Sequence, residues 1–230
     1  MPQHPSRNST SNRILSRLSR EDFALLEPDL EAVDLPLRKS LEARNKRIDQ
    51  LYFIESGFAS VVANGSSKPS IEVGIIGREG MTGLAVVLDN DRAQHATYMQ
   101  VAGTGLRIST ANLREATDRS ATLHRAMLRY ANAFLMQTTS TALANGRSKI
   151  EERLARWLLM AGDRVGDKEL PLTHEFLGLM LGTHRPGVTT AVNALKDDGL
   201  IATKRAGITI LDRKALEKRS NGTYVRANDE

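Results

Sequence analysis

The 230-residue chain contains no cysteine. Disulfides, thiolate nucleophiles, thiol redox sensing and cysteine-ligated zinc or iron–sulfur centres are therefore excluded. No apolar run approaches the ~18 residues that a membrane span needs. The N-terminal MPQHPSRNSTSNR is polar with two prolines, where a signal peptide would carry an apolar stretch. These absences predict a soluble, cytoplasmic protein that does not use the membrane as a partner. There is also no G-x-S-x-G elbow, P-loop or dinucleotide-binding glycine fingerprint. His174-Glu175 starts like a zinc-protease motif, but Gly178 stands where the second histidine would be. The reading is no catalytic residue, no metal ligand and no enzymatic role. Charge of one sign is only modestly in excess, with a net +5 and a pI near 9.6, a lean toward polyanions that fits nucleic acid without demanding it.

Hydrophobic residues at 40% and charged residues at 26% are ordinary for one or two globular domains. Residues 1–11 read as a disordered arm and 12–27 as helical. Over 30–109 the pattern becomes short apolar or alternating runs: Ala32–Leu37, Leu51–Ile54, Ala59–Val62, Ile71–Ile76, Tyr98–Val101 and Leu106–Ile108. Glycines such as Gly57, Gly65, Gly83 and Gly103 punctuate them, at the spacing of an all-β roll. From Thr110 to about Ala144 the pattern is helical. Leu123, Met127, Tyr130, Phe134, Gln137 and Thr141 recur at alternating steps of four and three. Such a seam suits a helix pairing along its length with a second copy, and it equally suits a helix covering the β-domain's own core. Asn145-Gly146 reads as a break and hinge. An amphipathic helix follows over 149–164, in which Met160 is core and Glu151-Glu152 a solvated face.

The most informative stretch is THEFLGLMLGTHRPGVTTAVNALKDDGLIATKRAGITIL, 173–211. Two short helical runs flank Gly182, with Gly178 four residues before it and Val188 six after. That spacing fits a helix-turn-helix: a small residue where the helices cross, a glycine opening the turn and a buried aliphatic sealing the pair. Thr173 is a good N-cap, and Arg185-Pro186 opens the second helix. Met180 reads as core. Ile201–Lys204 and Ile208–Leu211, joined through Arg205-Ala206-Gly207, would form a hairpin wing. The second helix of such a unit can enter the DNA major groove with its first residues at base edges. The tail from Ser220 to Glu230 reads as polar and frayed.

This order of elements resembles the Crp/Fnr superfamily of bacterial transcription regulators, over roughly residues 12–218. The C-terminal runs IEERLARWLLMAGDRVG (150–166) and LPLTHEFLGLMLGTHRPGVTTAVNALKDDGLI (170–201) carry it, with LYFIESGFASVV (51–62) and VGIIGREGMTGL (73–84) in support. The resemblance implies an α+β chain: a β-roll sensor like a cyclic-nucleotide-binding jelly roll (12–118), a long dimerisation helix (119–145) and a winged helix-turn-helix (146–219), before a tail (220–230). It implies a homodimer on double-stranded, near-palindromic DNA, with RNA polymerase as a further candidate partner. The recognition-helix start of the family's cyclic-AMP-responsive member, Ser-Arg-Glu, falls on His184-Arg185-Pro186, so Arg185 is retained and suited to guanine O6 and N7. That member's later base-reading arginine falls on Thr190. Thr189, Thr190 and Asn193 are candidates for base or phosphate contacts, and Lys204 and Arg205 for phosphate.

The resemblance departs in the sensor. The glutamate that would hold a ribose hydroxyl after Gly83 is Leu84, and the Arg-Ser pair for the cyclic phosphate aligns on Gln94-His95. Cyclic AMP and cyclic GMP are therefore not expected to bind tightly, no cofactor is predicted, and any effector is an unidentified small molecule. Thr138-Thr139 align with the family's base-contacting Thr-Ser, yet serve helix packing equally well. The competing function is an effector-binding adaptor whose winged helix contacts protein in place of DNA.

Overall fold

A computed structural model describes residues 6–63, 70–166, 169–204 and 207–226, apart from the side chains of His174 and Glu175. Gly65, Arg205, Ala206 and the outermost parts of the expected arm and tail lie outside the described residues. The chain forms two compact units, one of Met1–Val61 with Ile76–Leu135 and one of Val62–Ile75 with Met136–Glu230.

The first unit opens with two short helices, α1 (Arg13–Arg17) and α2 (Arg20–Leu26), where the sequence suggested one. Asn12 and Ser19 each cap a new start by accepting backbone N–H bonds, so the chain restarts at Ser19. Asn12 is fully buried, and its amide donates at 2.8 Å to both Ile54 O and Gly80 O.

The strands are β1 (Glu31–Leu35), β2 (Ser40–Glu42), β3 (Gln50–Ile54), β4 (Phe58–Ala63) and β5 (Ile71–Ile76), then, after the four-residue α3 (Leu84–Val87), β6 (Ala96–Val101) and β7 (Gly103–Ser109). Among the described residues they pair as β1-β7-β3 and β2-β6-β4-β5. Leu51, Phe53, Ile54, Phe58, Met99 and Leu106 form the core. β2 was not legible as a strand because Ser-Leu-Glu offers a single apolar residue.

The helical region beyond β7 is two helices. α4 (Thr110–Arg119) ends where Ser120 turns extended, and α5 runs Ala121–Arg147. Ser120 and Thr122 both donate to the Asp22 carboxylate, and the Ser120 hydroxyl caps α5. The expected break at Asn145-Gly146 is not there. α5 continues through both residues to Arg147, because the glycine is free to stay helical.

The upper part of the four-three seam packs within its own chain. Leu123 and Met127 have no exposed surface in the chain alone, and Tyr130 is buried. A Cβ at Gly80 would overlap the Tyr130 hydroxyl, so this glycine lets the ring approach the β-turn. Tyr130 stacks tilted on Phe134 at 6.5 Å. Gln137 is committed as well, accepting from Ile75 N (2.7 Å) and donating to Ile75 O (3.1 Å), and its carbonyl accepts the Thr141 hydroxyl. Leu123, Met127 and Tyr130 are thus buried within the chain, while Phe134, Gln137 and Thr141 stay half-buried. Leu128, Leu135 and Leu143, at 39%, 60% and 55% exposure, are apolar residues that α5 leaves open.

In the second unit, α6 (Ile150–Val165) is followed by β8 (Leu170–Pro171), α7 (His174–Leu181), α8 (Arg185–Asp197), β9 (Ile201–Lys204), β10 (Gly207–Ile210) and α9 (Arg213–Arg219). The wing is a three-stranded sheet in the order β8-β10-β9. Leu170–Pro171 supplies the third strand, beside the expected hairpin. Within the described part of the tail, residues 220–226, Ser220 and Thr223 are buried, and the Tyr224 hydroxyl donates to Asp163 at 2.6 Å beside Arg213.

Candidate nucleic-acid interface

The three positions that suggested a helix-turn-helix meet as their spacing requires. Thr173 caps α7 by accepting from Phe176 N at 3.2 Å. At the other end Gly182 is left-handed, with φ of 56°, a conformation in which glycine avoids the Cβ penalty. Gly182 N–H donates to Leu179 O (3.3 Å) and Thr183 N–H to Gly178 O (3.0 Å), which satisfies the carbonyls at the helix end. A Cβ on Gly178 would stand 3.0 Å from Thr183 O and 3.9 Å from the Val188 side chain. Val188 is fully buried, sealing the pair.

α8 then sorts its residues by face. Val188, Ala191, Val192 and Leu195 are buried, while His184, Arg185, Pro186, Thr190 and Asn193 are exposed and Thr189 half-exposed. The period is that of an amphipathic helix with its apolar stripe on the domain core. All six DNA candidates on this helix and its cap thus lie away from that stripe. The first turn carries one long polar side chain, Arg185, because Pro186 lacks an N–H and Gly187 lacks a side chain. The Thr189 and Thr190 hydroxyls each donate at 3.1 Å to the carbonyls of Arg185 and Pro186.

Lys204 ends β9 with its ammonium 3.5 Å from Glu169, both side chains substantially exposed. An exposed pair of this kind is worth ~0–1 kcal/mol, so the lysine is free to turn toward a stronger anion. Arg205, expected beside it, lies outside the described residues.

α6 holds the helix pair from behind and buries charge in doing so. Trp157 Nε1 donates to Glu72 Oε1 at 2.6 Å, and its ring meets Phe176 edge-on at 5.4 Å. Arg156, buried, donates to Thr223 O (2.9 Å) and Gln137 O (3.3 Å). Burial pulls its pKa down to about 10, against the attraction of Glu72. Arg164 donates to Met160 O at 2.8 Å and Ile75 O at 3.4 Å. None of this cluster was marked by the sequence, since Trp157 and Glu72 are 85 residues apart. Met160 and Met180 are core.

The effector candidates divide between the units. Gly83 caps α3 with φ of 81°, followed by half-buried Leu84. Gln94 and His95 are exposed on the segment leading into β6. Thr138 is half-buried and Thr139 exposed on α5. The residue that the sequence did not mark is Glu42. Its carboxylate accepts from Gly83 N at 2.7 Å and from the Thr97 hydroxyl. Burial pushes its pKa above the ordinary value, against those two hydrogen bonds. The half-buried Glu42 carboxylate thus takes the Gly83 N–H. Among the described residues, no group of three His, Asp or Glu could hold a metal ion, and no helix is long and apolar enough to cross a membrane.

Comparison with known proteins agrees with this geometry. Residues 152–219 match the Crp-like helix-turn-helix domain family. The chain has the fold of FixK2 from Bradyrhizobium japonicum, at 16% identity and TM-score 0.72 over 82% of this chain and 96% of that one. TTHB099, a CRP-family transcriptional regulator from Thermus thermophilus, is similar at 19% identity and TM-score 0.68, over 83% and 97%. A second Thermus thermophilus regulator, TTHA1359 of the CRP/FNR family, gives 16% and 0.66, over 84% and 100%. No curated protein sequence matches the chain.

Proposed function

We propose that this chain, of the Crp/Fnr superfamily by its helix-turn-helix domain and its fold, is a sequence-specific DNA-binding transcription regulator working as a homodimer on a near-palindromic operator. The observation that carries the reading is α8, whose apolar stripe is buried while Arg185, Thr190 and Asn193 stand exposed. Arg185 reads guanine O6 and N7, Asn193 offers an amide to base or phosphate, and Lys204 contacts phosphate, which positions without specifying. Leu128, Leu135 and Leu143 give α5 an open apolar line for a second copy. A two-fold dimer would present its recognition helices to successive major grooves, with half-site centres about 34 Å apart. A small-molecule effector acting through the β-roll would have to favour one arrangement of the winged domains over another, so its leverage is its differential affinity for the two. Since Glu42 holds the Gly83 N–H and neither Gln94 nor His95 is a permanent cation, a cyclic phosphate finds no charge partner among these residues.

Selection of binding sites from random duplex DNA at near-physiological salt tests the reading. Enrichment of a two-fold symmetric motif is the expected result. In that site Arg185→Ala should lower specific affinity by about 1–3 kcal/mol and relax preference at one base pair per half-site. Unchanged base preference would remove Arg185 from direct readout. No DNA binding even at low salt would overturn the function in favour of protein contacts.

A further inference from the structure

The recognition surface is poor in donors, and the two threonines explain what it offers instead. Thr190 is exposed on α8, yet its hydroxyl hydrogen is spent on Pro186 O at 3.1 Å. This back-bond fixes χ1 and leaves the side chain with a methyl group and an oxygen that can only accept for a partner. The residue one turn before it is Pro186, whose ring is apolar and whose nitrogen carries no hydrogen. Gly187 between them adds no side chain. From Pro186 to Thr190 the exposed surface is therefore mainly apolar, bordered by Arg185 and Asn193.

We infer that Thr190 is a specificity-determining residue that reads the 5-methyl group of a thymine in each half-site, through its own methyl. This rests on the DNA-binding function proposed above and names what one position of that site recognises. Methyl-to-methyl contact is the apolar form of major-groove readout, available at thymine and at no other unmodified DNA base. Thr190 lies about 7.5 Å further along the helix axis than Arg185, roughly two base-pair rises of 3.4 Å. The thymine should therefore fall within about two base pairs of the guanine that Arg185 reads.

The test uses the selected operator with each thymine replaced singly by deoxyuridine, which removes the methyl and keeps every hydrogen-bonding group. One symmetric replacement should weaken the wild-type chain about fourfold per half-site, the worth of one buried carbon at ~0.8 kcal/mol. Thr190→Ser keeps the hydroxyl and loses the methyl. It should lose the same fourfold on the thymine operator and show no further loss on the deoxyuridine one. Thr190→Val keeps the methyl shape and loses the oxygen. It should bind the thymine operator within about twofold of wild type and remain sensitive to deoxyuridine, since the methyl contact of the apolar readout survives. Retained affinity for a random duplex in both variants shows that the fold and the phosphate contacts are intact.

The inference is overturned if no thymine is methyl-sensitive, or if Val weakens binding as Ser does, which would assign the contact to the oxygen. In those cases the operator and the regulator function stand. If no operator is enriched at all, it is the function itself that fails.

Discussion

Trp157→Phe removes one hydrogen bond and leaves the packing around it nearly intact. Trp157 is 4% exposed and donates at 2.6 Å to a glutamate that is itself 4% exposed. A hydrogen bond to a charged acceptor is worth ~1.5–3 kcal/mol, and the cost of losing it is greater where the acceptor is left in the interior. Phenylalanine keeps an aromatic edge toward Phe176, while the smaller ring adds a cavity term of about 1 kcal/mol. The variant should therefore be about 2–4 kcal/mol less stable in urea denaturation followed by far-UV circular dichroism, since no tryptophan remains to report by fluorescence. For a chain of this size that is a fall in Tm of at least about 4 °C. The same substitution in a Glu72→Gln background should cost only about 1.5–2.5 kcal/mol, because an amide acceptor is neutral and the cavity term is unchanged. A cost below ~0.5 kcal/mol, or the same cost in both backgrounds, would refute a buried, charge-assisted bond tying β5 to α6.

Two further outcomes follow from exposed and buried charge. Lys204→Ala should weaken binding to all duplexes alike and reduce the slope of log affinity against log salt by about 0.9, one phosphate contact; an unaltered slope would take Lys204 off the backbone. Glu42 has a folded pKa raised above the ordinary 4.5, so its protonated form favours folding. The associated stability is present at low pH and is lost as pH rises through the raised value. Glu42→Gln, which keeps an acceptor for Gly83 N–H, should therefore gain in Tm relative to wild type as pH rises from the ordinary carboxylate value through the raised one. A difference that stays flat with pH would show that the carboxylate is not desolvated.

Much of the C-terminal unit was legible because its signals are local. Thr173, Gly178, Gly182 and Val188 act within 15 residues of one another, so spacing alone specified a cap, a crossing, a left-handed turn and a seal. The α5 seam was legible only in part. Its four-three period marks a face that will be buried, and says nothing of what buries it: Leu123 and Met127 are covered by their own chain. β2 and the break at Ser120 escaped because each depends on a partner far along the chain. Ser120 is held by Asp22, 98 residues away.

The sequence by itself determined the helix-turn-helix, the wing and the sorting of α8 into an apolar stripe and an exposed one, since helical periodicity and turn chemistry act over a few residues. The tertiary structure alone decided which face of α5 stays open, that Glu42 takes the Gly83 N–H, and that Trp157 meets Glu72. Those outcomes depend on which distant segments come together, and a buried carboxylate is tolerable only where the completed fold supplies its donors.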